Sequence, residues 1–153
     1  MPRKQSRVDA ARCAVVAESC LNFSLRRAAR AVGAIYDDAL RPTGLRGTQF
    51  NLLVALALLG TATVTRVAEV LAVDRTTLTR GLAPLERDRL VESVPGDDGR
   101  ERLLRLTDAG CQRVDEATVL WERAQKRVLE VLGGKRLRTL HAGLAEASAM
   151  LRS

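Results

Sequence analysis

The sequence predicts a mainly α-helical fold in which long helices at both ends flank a compact head of two short helices and a β hairpin. Three observations carry that expectation. Apolar residues recur at steps of three and four over 20–41 and again over 111–132, the period of an amphipathic helix. Residues 63–90 read as two short helices joined by a tight turn. Two β-compatible runs, 91–94 and 103–106, enclose Pro95-Gly96-Asp97-Asp98-Gly99, a cluster of turn formers. Helix, turn, helix and hairpin in that order are the sequence form of a winged helix-turn-helix with a two-stranded β wing.

A length of 153 residues suits a single domain over 1–153, or one protomer of a dimer, and is enough to bury a core. No run of 18 apolar residues is long enough to span a membrane. The basic start, 1–7, lacks the apolar stretch and small-residue cleavage site of a secretory signal. A cytoplasmic protein with no membrane partner is expected. Cys13, Cys20 and Cys111 are scattered and have no Cys-x-x-Cys spacing, which argues against a disulfide framework or a zinc site. With one histidine, His141, no Gly-rich phosphate loop, no nucleophile motif and no clustered carboxylates, no enzyme, cofactor or metal is expected.

The net charge of +7 is consistent with a polyanionic partner. Its distribution weakens that argument, because residues 61–110 hold eight Lys+Arg against nine Asp+Glu. The surplus lies outside the head.

Leu21, Leu25, Ala28, Ala29, Val32, Ile35, Tyr36 and Leu40 make one stripe of a long helix over 20–41. It ends at Arg41-Pro42, since the residue before proline is pushed out of the α region. Residues 8–17 either extend this helix or form a separate turn, and 1–7 read as a loose basic tail. Thr48 is the expected cap of the apolar segment 50–59, which Gly60 stops. A helix that apolar must be buried on most sides. Residues 63–71 form the first helix of the motif, with Val67, Ala68 and Leu71 inward. Asp74 caps the second, 75–88, whose Leu78, Leu82 and Leu85 share a face and whose Pro84 predicts a kink. After the hairpin Thr107 caps a helix with Asp108 well placed in its first turn. Over 111–132 Cys111, Val114, Ala117, Leu120, Trp121, Ala124, Val128 and Val131 fall on one stripe, making a second long helix. Gly133-Gly134 breaks it, and 135–151 resumes with Leu137, Leu140, Leu144 and Leu151. These terminal helices carry more apolar surface than a small head can cover, so a second copy is the expected partner.

The face of 75–88 opposite its leucines carries Arg75, Thr76, Thr77, Thr79 and Arg80. Such side chains near a helix N-terminus suit the major groove of double-stranded DNA: arginine pairs with guanine, and threonine donates, accepts or packs on the thymine methyl. A solvated face has the same composition; its place in a helix-turn-helix favours DNA. Arg100 and Arg102 flank the hairpin tip, and an arginine on a thin ribbon fits the narrow minor groove, where negative potential concentrates. Asp98 is placed to aim Arg100 by a charge-assisted hydrogen bond.

Residues 98–110 read Asp-Gly-Arg-Glu-Arg-Leu-Leu-Arg-Leu-Thr-Asp-Ala-Gly and fit D-x-R-x-x-x-(aliphatic)-x-L-T-x-x-G at every fixed position. In this stretch, and in the order of elements across nearly the whole chain, the sequence resembles the MarR family of bacterial transcription regulators. The resemblance implies a dimer with 1–41 and 111–153 as dimerisation helices and 48–110 as a winged DNA-binding head, two heads reading a pseudo-palindrome. It implies recognition-helix contacts from Arg75, Thr77, Thr79 and Arg80, and wing contacts from Asp98 and Arg100. It also implies a repressor released either by a small phenolic or aromatic effector or by oxidation of a cysteine.

Family-like pocket positions fall on Phe23, Tyr36, Phe50, Leu53 and Trp121, with Arg27, between Arg26 and Arg30, able to attract a carboxylate. The same residues also read as plain core and a solvated stripe. Cys20 is the candidate thiol switch, near a helix start whose dipole favours a thiolate. On one continuous helix Cys13 would lie about 10 Å from it, beyond the ~7 Å Cα limit for a disulfide. The family's organic-peroxide sensors place their cysteine nearer Asn22 of this chain and pair it with tyrosines, of which this chain has one. A winged helix serving protein contacts without DNA is the remaining alternative, and the polar reading face and Arg100 argue against it.

Overall fold

The computed structural model of the chain describes residues 8–96 and 101–151, so the expected tail at 1–7 lies outside the described residues. The chain divides into two compact units, Met1–Ala34 and Ile35–Ser153. In the first, helix α1 (Ala10–Ser19) starts at Asp9, whose carboxylate accepts from the amides of Ala11 at 3.0 Å and Arg12 at 3.2 Å. The backbone at Cys20 is extended, with φ −75° and ψ 111°, before α2 runs over Leu21–Leu40. Residues 8–17 therefore belong to a separate helix, and no continuous helix joins Cys13 to Cys20.

The second unit holds the end of α2 and the head. A single 3₁₀ turn, Arg41–Thr43, closes α2 at the expected proline. There the buried Thr43 Oγ1 donates to the Leu40 carbonyl at 2.6 Å. Helix α3 spans Gly47–Leu59, and its N-cap is Arg46, not the expected Thr48. The helix starts two residues earlier because the Arg46 amide donates to Gln49 Oε1 at 2.8 Å and the Gly47 amide to Asp37 Oδ1 of α2 at 2.7 Å, while the Phe50 amide, which a Thr48 cap would serve, already bonds to the Arg46 carbonyl at 2.9 Å. Gly60 ends α3 with φ 70°, a region that favours glycine.

The chain continues through β1 (Ala62–Thr63), α4 (Val64–Leu71), α5 (Arg75–Arg87), β2 (Val91–Pro95), β3 (Arg102–Leu106), α6 (Asp108–Leu132) and α7 (Gly134–Met150). The sheet is antiparallel with order β1-β3-β2, so the expected two-stranded wing has a third strand. β1 is too short to show an alternation pattern; it pairs Ala62 with Leu104 and Thr63 with Leu103, covering the other edge of β3. In the hairpin Val91 faces Leu106 and Pro95 faces Arg102, which moves Pro95 from the expected turn into the strand. A proline is tolerated there because β2 is an edge strand. Pro84 does not interrupt α5, which stays helical to Arg87. On the expected stripe of α6, Ala117, Ala124 and Val128 are buried together with Gly110, and Cys111 is exposed.

Leu40, Leu53, Leu56, Leu85 and Leu104 are fully buried, joined by Phe50, Val67, Leu78, Leu82, Leu90 and Val91 in one cluster. α3 meets α4, α5, β3 and α6 and buries Phe50, Leu52, Leu53, Ala55 and Leu56 there, but one side stays open, with Asn51, Ala57 and Leu58 exposed. Arg113 of α6 donates to the Thr43 carbonyl at 2.6 Å and ties this core to the end of α2. No described helix is long and apolar enough to cross a membrane.

The exit of α5 and the entry of α6 meet at a tight junction. Arg89 turns the chain with φ 57°. The Leu90 carbonyl accepts from the Thr107 amide at 3.2 Å, while Thr107 Oγ1 donates to the Arg89 carbonyl at 2.7 Å and accepts from the Gly110 amide at 3.0 Å. A Cβ on Gly110 would stand 2.0 Å from the Leu90 oxygen, so only glycine fits. Gly110→Ala is expected to destabilise the fold by roughly 1–3 kcal/mol, toward the upper end because the obstacle is backbone. Urea denaturation reads this directly; a variant as stable as the parent would mean the junction widens at no cost.

Candidate nucleic-acid interface

The helix-turn-helix is built from short capping interactions. Thr63 Oγ1 accepts from the Arg66 amide at 3.1 Å at the start of α4. α4 ends at Ala72, which adopts φ 54°, and the Val73 amide bonds back to the Ala68 carbonyl at 3.0 Å. Asp74 then caps α5 twice through one residue: Oδ1 accepts from the Thr77 amide at 2.8 Å and Oδ2 from Thr77 Oγ1 at 2.7 Å. The Thr77 hydroxyl and then its amide hold the Asp74 carboxyl below the ordinary carboxylate range.

Leu78, Leu82 and Leu85 bury one face of α5 and leave Arg75, Thr76, Thr77, Thr79 and Arg80 exposed on the other. Their free valences differ. The Thr77 hydroxyl proton goes to Asp74, and that of Thr79 to the Arg75 carbonyl at 2.8 Å. Those two threonines present acceptor lone pairs and methyls outward, whereas the side chains of Arg75, Thr76 and Arg80 have no partner among the described residues and keep their donors.

The acids of the head are largely engaged locally. Glu69 pairs with Arg66 at 3.2 Å, Glu92 with Arg105 at 2.7 Å across the hairpin, Asp88 with Arg87 at 3.2 Å, and Glu86 with Arg102. A slightly negative head therefore still offers free guanidinium groups at one end of α5. Asp98 and Arg100, the expected wing contacts, lie outside the described residues. Arg102 is engaged within the protein: its Nε donates to Ser93 Oγ at 2.5 Å and its terminal nitrogen to Glu86.

Of the expected pocket residues, three belong to or pack on the core cluster. Phe50 and Leu53 are core, 5% and 0% exposed. Tyr36 is half-buried; burial raises the pKa of its phenol, which donates to Gln125 Oε1. Trp121 packs against the core cluster. Phe23 and Arg27 belong to the first unit and are exposed. A cavity of about 380 Å³ opens between the end of α2 and α6, lined by Ile35, Ala39, Pro42, Leu120 and Ala124 and by the charged Asp38, Arg123 and Arg127. Sequence reasoning missed these arginines because each reads as a solvated helix position; their four-residue spacing beside Leu120 and Ala124 was the available signal. Cys20 is half-buried at the break between α1 and α2, and Cys13 is exposed.

Residues 43–101 match a family model described as MarR family. The transcriptional regulator MosR of M. tuberculosis, solved in complex with DNA, is 38% identical; the match covers 88% of this chain and 100% of that one, with a TM-score of 0.76. The transcriptional repressor CouR, solved bound to a 23-mer DNA duplex, is 25% identical over 94% of this chain and 99% of its own, with a TM-score of 0.78. An uncharacterized HTH-type transcriptional regulator of Bacillus subtilis (strain 168), YwoH, is 28% identical over 109 residues, 71% of this chain and 80% of that protein.

The Asp74 cap has a pH signature. Its carboxyl titrates lower in the folded chain than in the unfolded one, so its stabilisation is complete above the unfolded carboxylate value and is lost as pH falls through the lower folded value. Asp74→Asn, which keeps a capping side chain, is expected to flatten the stability profile over that acidic window and leave neutral stability nearly unchanged. Thermal melts between neutral and acidic pH test this; parallel profiles for both proteins would show that Asp74 titrates normally.

Proposed function

Because the chain belongs to the MarR family and is a DNA-binding transcription regulator, we propose that it acts as a homodimeric repressor of a pseudo-palindromic operator. The observation that carries this reading is the free polar end of α5, where Arg75, Thr76 and Arg80 stand exposed without a partner among the described residues, with the wing following in the same unit. In it, Arg75 and Arg80 donate to guanine edges or phosphates. Thr76 donates or accepts, and Thr77 and Thr79 accept or pack on thymine methyls. Asp98 and Arg100 act at the wing tip, on the minor groove.

The dimer is supported by uncovered apolar surface. α7 has no buried residue, and Val119, Leu129, Val131, Leu140, Leu144, Met150 and Leu151 are exposed in the single chain. In the proposed organisation 1–41 and 111–153 form the dimer base and 48–110 the head. Repression is in keeping with the similarity to CouR, a transcriptional repressor. For release from DNA we favour a small aromatic or phenolic acid. The support is the cavity beside α6, where Arg123 and Arg127 stand among Ile35, Pro42, Leu120 and Ala124 and the lining carboxylate, Asp38, is paired with Arg41, so that two cations remain for an acid. The alternative is oxidation at Cys20, and the half-buried thiol at a helix break supports it.

Fluorescence anisotropy on a duplex from the region upstream of the chain's own gene, against a scrambled duplex, tests the reading. Specific, salt-sensitive binding is expected; equal weak binding to both would remove it. Arg80→Ala should relax preference at one symmetric pair of positions, at ~1–3 kcal/mol each, and Arg100→Ala should weaken all duplexes and flatten the salt slope. An Arg80→Ala loss equal on every sequence would mean a phosphate contact only. Peroxide followed by reductant, and separately salicylate-like acids with and without Arg127→Ala, divide the two release mechanisms: reversible loss under peroxide supports the thiol, and acid-induced loss abolished by Arg127→Ala supports the cavity.

A further inference from the structure

Arg102 stands near the wing tip, where an arginine reads as a groove contact, yet its guanidinium is turned to two partners inside the protein. Its Nε donates to Ser93 Oγ of β2 at 2.5 Å and its terminal nitrogen to Glu86 Oε1 of α5, while Ser93 Oγ donates to the same Glu86 oxygen at 2.8 Å. The three residues come from three elements: both strands of the wing and the proposed recognition helix. Glu86 is the least exposed of the ion-pair partners in the head, its side chain 28% exposed, and one of its oxygens accepts both bonds. A second ion pair on the same hairpin, Glu92 with Arg105, joins β2 to β3 directly across the ladder and does not touch α5.

We propose that Glu86, Ser93 and Arg102 form a clamp that sets the position of the wing against the recognition helix, so that Glu86 and Arg102 are positioning residues for DNA reading and Arg102 is not a groove contact. The reading rests on the DNA-binding function argued above. The hairpin of two five-residue strands is held to the head by Val91, Leu104 and the junction at Leu90, and by β1, which pairs with Leu103 and Leu104. Beyond that level the described side chains are half-buried or exposed, so the outer end of the wing is free to rock unless something grips it. Arg102, opposite Pro95, is that grip, held back to α5 through Glu86 and Ser93. Operator reading needs the α5 face in one groove and the wing in the next at the same time, and a rocking wing pays the ordering entropy on binding. A preformed clamp removes that cost.

The sign of one substitution separates this from simple electrostatics. Glu86→Ala removes a negative charge near the DNA and frees Arg102. If Arg102 is a DNA contact, or if Glu86 merely repels phosphate, binding tightens or stays the same. If the clamp positions the wing, binding to the upstream duplex weakens by about fivefold, the scale of coupling within one hydrogen-bond network. Arg102→Ala then adds little in the Glu86→Ala background, whereas a DNA contact keeps its full effect there.

The experiment measures anisotropy on the upstream and scrambled duplexes for wild type, Glu86→Ala, Arg102→Ala, the double variant and Arg105→Ala. Hydrogen exchange of amides 91–106 is followed for the same free proteins. The clamp requires weaker specific binding and faster wing exchange in Glu86→Ala, non-additivity with Arg102→Ala, and near wild-type binding in Arg105→Ala. Tighter binding in Glu86→Ala, or additive losses, overturns it. If wild type does not distinguish the duplexes, the DNA reading fails by itself. The exchange arm then decides the clamp, and unchanged wing exchange in Glu86→Ala rejects it.

Discussion

The carbonyl of Leu90, pressed against Thr107 and Gly110, is the contact on which the geometry of the head depends. α5 has just ended, β2 is about to begin, β3 has just finished and α6 is starting, and all four meet within this one turn. A buried carbonyl must find a donor, and the Thr107 amide supplies it. The helix start can approach that closely only because Gly110 has no side chain. Thr107 adds a second bond to Arg89 while capping α6, so one residue both starts a helix and closes the hairpin. The pattern Leu-Thr-x-x-Gly at 106–110 is thus a statement about a junction, and its effect on DNA reading is indirect: it fixes where the wing and α6 leave the head.

Charge in the head follows from the same local accounting. Counted by residue, 61–110 is slightly acidic and a poor candidate for a polyanion. Counted by contact, Glu69, Glu86, Glu92 and Asp88 are held in ion pairs with arginines, while Asp74 keeps its charge as the cap of α5. A paired carboxylate contributes little field beyond its partner at physiological salt. The side chains left with open donors, Arg75 and Arg80, stand on one exposed face near the start of a helix, where the helix dipole also favours an anion.

The helices of the second unit divide by what they cover. α3 buries Phe50, Leu52, Leu53, Ala55 and Leu56 in the head, whereas α7 buries nothing in the single chain and carries leucines at exposed positions. Apolar surface of that extent is what an obligate partner covers. The cavity beside α6 is of another kind, with Arg123, Arg127 and Asp38 set among apolar residues, and Asp38 is itself paired with Arg41.

Much of the architecture was legible because periodicity and capping are local. Leu78, Leu82 and Leu85 on one face, Asp74 and Thr107 as caps, and Gly60 and Gly133 as stops all follow from spacing and side-chain type within a few residues. Other features depend on groups far apart in sequence. Asp37 and Gln49 displaced Thr48 from the cap of α3; a strand of two residues at 62–63 formed only because β3 offered an edge; Arg102 found Glu86 sixteen positions away. The set proposed from resemblance for a pocket included Phe50 and Leu53, which the fold uses as core, and omitted Arg123 and Arg127, which it places on a cavity wall. The sequence by itself determined which elements form and which face of each is apolar, since those are properties of neighbouring residues. Only the tertiary structure decided which polar side chains remain free to act, because a hydroxyl or guanidinium is spent or available according to partners that folding alone brings within reach.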